Sequence, residues 1–334
     1  ISTMERDPES RSGARALRLA LAGDTMLGRG VAERLQTDPR APLLSPGVIE
    51  AAGSADLFVL NLECCISARG ERFRDRRKRF FFKAPPIAAE RLAEAGVDVV
   101  TLANNHALDY GPVALLDTLE HLRRAGIVHV GAGPDELSAR AHATLVARGT
   151  RLRVVAASDH PGSYAATADR AGIAYADLRG GHVPDWLLAA ARGGPDCDAV
   201  LVTPHWGPNM RAEPLAEVRS AAHQFEAADV TLVAGHSAHV FQGVRGRVLY
   251  DLGDFLDDYA VDPELRNDLG LLWVVTIENG RARLLEALPL RLEYGYTRLA
   301  TGDDAAWIAR RLKRLCAREG TDAHDEHDRL VIRF

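Results

Sequence analysis

The sequence predicts a layered α/β protein. Short runs of Val, Leu and Ala alternate with amphipathic stretches along most of the chain. The apolar runs have no polar face, as strands covered on both sides do. Glycine or proline stands at most of the junctions. With 334 residues, 47% hydrophobic and 26% charged, the chain is long enough for one large α/β domain or two ordinary ones, and its composition excludes disorder over most of its length.

In chain order, 17–23 (LRLALAG), 56–62 (DLFVLNL), 97–103 (VDVVTLA), 153–158 (RVVAAS), 199–204 (AVLVTP), 230–235 (VTLVAG), 247–252 (RVLYDL) and 271–277 (LLWVVTI) read as strands. A helix is predicted over 87–95, opened by Pro85-Pro86 and closed by Gly96. Another is predicted over 112–125, between Gly111 and Gly126, with Val113, Leu116 and Leu119 as its apolar stripe. Segments 184–192 and 214–228 follow the same pattern, and alternation of this kind implies stacked layers of helix and sheet. Residues 247–293 are rich in strand and poor in helix, which predicts a second, more antiparallel sheet. The expected division is a polar tail over 1–16, an α/β domain over 17–300, and a C-terminal helix and tail over 301–334, the helix carrying Trp307, Ile308, Leu312 and Leu315 on one side.

Charge and cysteine content narrow the function. Lys plus Arg number 41 and Asp plus Glu 46, a net charge of −5, which disfavours a general nucleic-acid binder. No apolar run approaches the ~18 residues of a membrane span, and the polar N-terminal stretch has no signal-peptide core. Cys64, Cys65, Cys197 and Cys316 form no CxxC pair and read as reduced thiols. A cytoplasmic protein is expected.

The chemistry is legible in where polar residues fall. Asp24, Glu63, Asn104-Asn105-His106, His205, and His236 with His239 each follow directly on a predicted strand. In open α/β sheets the loops at the carboxyl ends of strands converge on one crevice. Carboxylate, amide and imidazole donors without thiolate suit Mn, Fe, Zn, Mg or Ca, as one ion or two, with Glu63 placed to bridge a pair. The segment 69–83 (RGERFRDRRKRFFFK) is the densest run of charge. Arg72, Arg74, Arg76, Arg77 and Arg79 are there to clamp an anionic substrate, or else form a solvated loop anchored by its phenylalanines. Trp206 either lines the substrate pocket or packs in the core.

GDTMLGRG (23–30), NLE (61–63), FKAPP (82–86), LANNHALDYG (102–111), HWG (205–207), GHSAHV (235–240) and YDLGDF (250–255) together resemble the CapA family of bacterial capsule and poly-γ-glutamate synthesis proteins, related to the calcineurin-like metallophosphoesterases. The resemblance implies a four-layer α/β/β/α sandwich. It also implies that Asp24 and His239 hold one ion, that Glu63 bridges, that Asn105, His205 and His236 hold the other, and that His106 is the acid or base. Met26 stands where the phosphoesterases place the histidine of DxH, so one ion site should be weak or empty and ordinary phosphoesterase activity disfavoured. LGDF replaces the family's LGNF, adding Asp254 as a ligand or proton acceptor.

These residues imply a divalent-metal enzyme acting on a peptide or anionic glutamyl substrate, by default hydrolysing an amide or ester. The same groups also suit a cofactor-free peptide epimerase, with Asp24 or Asp254 opposing His106 or His239. A non-catalytic capsule-assembly factor that binds polyglutamate through the arginine-rich segment is the third reading.

Overall fold

A computed structural model describes residues 16–75 and 78–334; apart from Ala16 the expected N-terminal tail lies outside them, as do Arg76 and Arg77. From the N-terminus, β1 (Leu17–Thr25) and β2 (Leu57–Leu62) pair in parallel. A short ribbon, β3 (Cys65–Ile66) with β4 (Lys83–Ala84), interrupts before β5 (Val99–Thr101) and β6 (Val128–Val130) continue the sheet. β7 (Ala132–Gly133) pairs with β10 (Gly172–Ile173) in a second ribbon. A six-stranded sheet is built from β8 (Ala143–Ala147), β9 (Thr150–Ser158), β11 (Ala199–His205), β12 (Leu232–Ala234), β13 (Val244–Arg245) and β14 (Val248–Leu249), in the spatial order β13-β14-β12-β11-β9-β8.

The chain then returns to the first sheet. β15 (Asp254–Leu256) lies parallel to β1. The long hairpin β16 (Leu269–Glu278) and β17 (Arg281–Glu293) extends the sheet on the other side of β1, followed by β18 (Tyr296–Leu299), β19 (His324–Glu326) and β20 (Arg329–Arg333). The antiparallel strands expected to form a second sheet therefore extend the first one. The C-terminal tail also belongs to it, because β20 pairs with β17.

Side-chain parity fixes the layers. In β1, Ala20 and Ala22 pack against α1 (Arg29–Thr37), α2 (Pro46–Gly53), α3 (Ile87–Glu94) and α4 (Gly111–Arg124). Leu19 and Leu21 turn the other way, onto Leu152, Val154, Leu201 and Leu232 of the six-stranded sheet. The far face of that sheet, with Val155, Val200, Val202 and Val233, is covered by α6 (Asp185–Ala191) and α7 (Ala216–Ala227), while the short α5 (Glu136–Arg140) caps the β7–β10 ribbon. This is the expected α/β/β/α sandwich. α8 (Gly302–Arg318) adds Ile308, Leu312 and Leu315 to the seam between the sheets. Fully burying each such side chain contributes ~1.5–3 kcal/mol.

The α4 stripe differs from expectation. Ala114, Leu115, Thr118 and Leu122 are buried, whereas Val113 and Leu116 are exposed. Thr118 hides the true stripe in the sequence: its hydroxyl accepts from Ile66 N (2.8 Å) and donates to Ala114 O (2.7 Å), so a polar residue sits satisfied on the buried face.

One irregularity sets the position of a functional residue. By alternation Asp24 would share the helix-facing side of Ala20 and Ala22. The β1–β2 register instead jumps from Ala22↔Leu60 to Asp24↔Asn61, leaving Gly23 as an extra residue. Such a bulge re-aims the following side chain, and Asp24 faces the second sheet. The bulge needs glycine: a Cβ at position 23 would lie 1.7 Å from the Gly253 carbonyl oxygen, which accepts the Asp24 N–H at 2.9 Å. Gly23→Ala should therefore destabilise the protein by about 3 kcal/mol or more in urea denaturation. Gly53→Ala, at a helical position with open space around it, should stay within about 1 kcal/mol of the parent. Equal stability of the two variants would contradict the bulge.

Candidate metal centre

The same parity governs the rest of the site. In β2, Leu57 and Val59 face the seam, so Asn61 and Glu63 do too. In β11, Ala199 and Leu201 lead to His205; beyond β12, Leu232 and Ala234 lead to His236. Glu63 from one sheet therefore meets His205 from the other, with Glu63 Oε1 3.4 Å from His205 Nε2. Asp24 Oδ1 lies 3.4 Å from His236 Nδ1 and its Oδ2 3.3 Å from His239 Nδ1. His239 Nδ1 is also 2.8 Å from Asp254 Oδ1 and 3.9 Å from Glu63 Oε2. Asp24, Glu63 and His239 offer donor atoms that all lie within 4.8 Å of one another.

Backbone geometry holds these groups. Ser237 (φ 110°) and His239 (φ 60°) lie in the left-handed half of conformational space, which non-glycine residues occupy when their surroundings over-determine them. Asp251 supplies part of that constraint, accepting from Ala238 N and Gly253 N at 2.8 Å each. Asn61 donates to Asp24 Oδ1 at 2.8 Å and accepts from Thr101 and Asn104, both at 3.0 Å.

The electrostatics are unbalanced. Asp24, Glu63 and Asp254 are buried, and among the described residues no Lys or Arg pairs with any of them. Burial would raise the Asp24 carboxyl, but contact with His236 and the charges of His239 and His205 hold it well below its usual range. Burial and the Asp24 charge push Glu63 far up. Burial, with Asp257 and Asp24, does the same to Asp254. His239 is driven up because Glu63 and Asp24 outweigh its burial. Glu63 Oε2, Asn105 Oδ1, His205 Nδ1, His236 Nδ1 and Asp254 Oδ2 are buried without a hydrogen-bond partner. Orphaned atoms of this kind ordinarily cost ~1–3 kcal/mol each, and together they are a hard-to-borderline donor set. The residues fit a divalent cation.

Met26 takes no part in that donor set. It is buried, and its sulfur accepts the Gly28 N–H at 2.9 Å. Cys64 and Cys65 are buried free thiols behind the site; burial raises both, Cys65 to about 12.

His106 stands beside this group in a separate arrangement. Its Nδ1 lies 2.6 Å from Asp109 Oδ2, and the ring stacks on Phe82 at 4.1 Å. A carboxylate only accepts, so Nδ1 carries the proton and Nε2 is left as the acceptor. Burial pulls His106 down to about 4 against the attraction of Asp109, which keeps the imidazole neutral at pH 7. Asp109 is held in turn by Lys78 Nζ (2.8 Å) and Tyr164 Oη (3.0 Å), and Lys78 also donates to Asn105 O at 2.7 Å. Asp109 and Lys78 were not singled out by sequence reasoning, although Asp109 lies three residues from His106 within LANNHALDYG. Tyr164 left no signal there, being 55 residues from Asp109.

The basic segment divides. Lys78 is drawn inward, Arg72 rests over the Phe81 ring at 5.3 Å, and Arg74 and Arg79 are exposed. Trp206 is 3% exposed, donates its indole N–H to Tyr250 O at 2.9 Å and packs near Phe225. Its place is in the core, which corrects the expectation that it lines the substrate pocket. A cavity of about 580 Å³ opens beside the centre, lined by Arg29, Phe80, Phe82, His106, His239 and Tyr259 among others.

The chain is thus an α/β/β/α sandwich with carboxylates and imidazoles from both sheets gathered in its seam, a donor set that could hold a metal ion. It belongs to the family described as bacterial capsule synthesis protein PGA_cap, whose model matches residues 18–259, as the CapA resemblance implied. It is 31% identical over 364 residues to the "Probable polyglutamine synthesis accessory protein" of Mycobacterium tuberculosis (strain ATCC 25618 / H37Rv), covering 93% of this chain and 94% of that one. It is 26% identical over 293 residues to the capsule biosynthesis protein CapA of Bacillus anthracis, covering 84% of this chain and 68% of that one. Among solved structures, a hypothetical protein from Thermus thermophilus aligns with 84% of this chain and 96% of its own, at 20% identity and a TM-score of 0.44.

In chelator-stripped protein, Mn²⁺ or Zn²⁺ at about 100 times its Kd should stabilise the fold by about 2.7 kcal/mol. Glu63→Gln and His236→Ala should abolish the gain in thermal melts. A parent protein whose melting is indifferent to every divalent ion would contradict the site.

Proposed function

We propose that this chain is a divalent-metal-dependent enzyme that hydrolyses an amide or ester bond in a peptide or glutamyl substrate. One observation carries the proposal: the buried atoms left without a partner, at Glu63, His205, His236 and Asp254, gather around Asp24 and His239, and His239 lines a cavity that also holds His106. Asp24, Glu63, His205, His236 and His239 would hold the ion, with Asn105 and Asp254 as further donors. Imidazoles mixed with carboxylates favour Mn, Fe or Zn over Mg and Ca. With the Met26 sulfur already engaged, one tight ion rather than an equal pair is the reading favoured. Bound there, the cation supplies a Lewis acid that polarises a carbonyl.

The protein's own groups supply proton transfer and orientation. His106 Nε2 is the acceptor available to the cavity; it takes a proton from the attacking water and returns it to the leaving nitrogen or oxygen. Asp109 fixes the tautomer and steadies the imidazolium that forms, and Lys78 and Tyr164 hold Asp109 in place. Phe82, stacked on the imidazole, keeps that side of the ring free of water. A peptide or glutamyl substrate is favoured by the capsule and polyglutamine synthesis named for the relatives.

A second reading has its own observation. His239 also lines the cavity and is paired with Asp254 as His106 is with Asp109. Two such pairs facing one substrate suit removal and return of an α-proton, as in a cofactor-free epimerase. The discriminating experiment incubates a γ-glutamyl peptide with metal-loaded protein in heavy water. A new amine terminus without α-deuterium supports hydrolysis; α-deuterium without cleavage supports epimerisation. Asp109→Asn should lower either turnover by about 100-fold or more, through the wrong tautomer. If His106→Ala retains full biological activity with polymer binding intact, the chain is an assembly factor and both enzymatic readings fail.

A further inference from the structure

Among the described residues, Arg29 is the one Lys or Arg lining the cavity with His106 and His239. Its backbone is left-handed (φ 49°), an arrangement a non-glycine residue keeps where the surroundings demand it. Asp258 provides that demand: its Oδ2 accepts the Gly30 N–H at 2.8 Å and its Oδ1 faces Arg29 Nη2 at 3.2 Å. At position 30 a Cβ would sit 1.9 Å from Tyr294 Oη, so any residue larger than glycine would displace that ring. The guanidinium lies 5.9 Å from both the Phe82 and Tyr259 ring centroids, so it is fixed between aromatic walls. Asp258 engages one terminal nitrogen, and the rest of the five-donor fork is left for a second anion.

Arg29 also forms the boundary with a second cavity of about 450 Å³, lined by Glu33, Arg72, Lys83, Asp258 and Tyr294 among others. Among the described residues, neither Arg72 nor Lys83 has a carboxylate partner. Arg72 rests on Phe81 and Lys83 on Tyr110, 4.2 Å from its ring centroid, so both are held by aromatic faces rather than by counter-ions. Glu33 and Asp258 are the opposing charges at this end, and Asp258 is already engaged by Arg29. Among the described residues the first cavity thus has an aromatic wall and a single oriented cation, Arg29, and the second adds two cations without ion pairs, Arg72 and Lys83.

We propose that Arg29 is a specificity-determining residue that grips one carboxylate of the substrate, and that Arg72 and Lys83 receive a further carboxylate of the same chain in the adjoining cavity. This rests on the glutamyl reading of the substrate and deepens it: the protein acts along an acidic chain rather than on an isolated terminal residue. The planar fork of Arg29 suits bidentate contact with a carboxylate, whereas Arg72 and Lys83 contribute mainly charge.

The test uses the full chain and a fluorescein-labelled, γ-linked hexaglutamate, with anisotropy read in chelator and again in Mn²⁺. Arg29→Gln should weaken binding about tenfold or more in both conditions, from the loss of charge-assisted hydrogen bonds. The double variant Arg72→Gln/Lys83→Gln should weaken it less and flatten its salt dependence. The fully amidated peptide should fail to compete. Wild-type protein that does not bind, Arg29→Gln binding within twofold of wild type, or equal competition by the amidated peptide or by inorganic phosphate would each overturn the proposal. If Arg29→Gln does not fold, an unchanged affinity and salt slope in the Arg72/Lys83 double variant overturns it instead. Weakened binding in a protein that turns over no glutamyl peptide keeps the groove and removes the enzymatic reading; turnover with unaltered Arg29→Gln binding does the reverse.

Discussion

The structure depends on a concentration of negative charge that no Lys or Arg among the described residues answers. Asp24, Glu63 and Asp254 lie buried between two sheets, close to His205, His236 and His239. Burying carboxylates is costly unless protons or cations compensate. Imidazoles whose basicity is divided between His239, driven up, and His205, driven down, compensate only in part. What remains is a demand for a cation, expressed in raised carboxyl affinities for protons and in buried atoms without partners. A bound divalent ion would take the place of those protons.

The fold exists around this point in a literal sense. The two sheets pack through an aliphatic seam, and the polar cluster occupies the end of that seam where the strands stop. Alternation brings Glu63, His205 and His236 there without special arrangement. Asp24 arrives only through the Gly23 bulge, and the bulge closes only because Gly23 has no Cβ to meet the Gly253 carbonyl just before β15. The glycines of the GD and GH motifs are thus positional requirements of the carboxylates and imidazoles beside them. Gly235 shows the same pressure, since a Cβ there would lie 2.1 Å from Tyr250 O.

Much of this was legible in the sequence. Polar residues placed at the ends of apolar runs identified Asp24, Glu63, His205, His236 and His239, and the structure brings them together because strand ends of one sandwich share one edge. Parity extends that reading to Asn61, a polar residue inside the buried run LFVLNL. The parts that were not legible depend on long-range packing. The Lys78–Asp109–Tyr164 network joins residues whose proximity no local pattern encodes. Trp206 could be placed only once Tyr250 was seen to accept its N–H. β16 read correctly as a strand and β17 falls in the stretch read as rich in strand, but the attachment of this hairpin to β1 through β16 is a matter of topology that periodicity does not carry.

The central claim concerns where a cation sits, and anomalous diffraction from crystals soaked in Mn²⁺ tests it most directly. The account predicts one dominant peak between Asp24, Glu63 and His239, with His236 or His205 completing the shell at ~2.0–2.2 Å. A dominant peak elsewhere, or none within reach of those side chains, would contradict it.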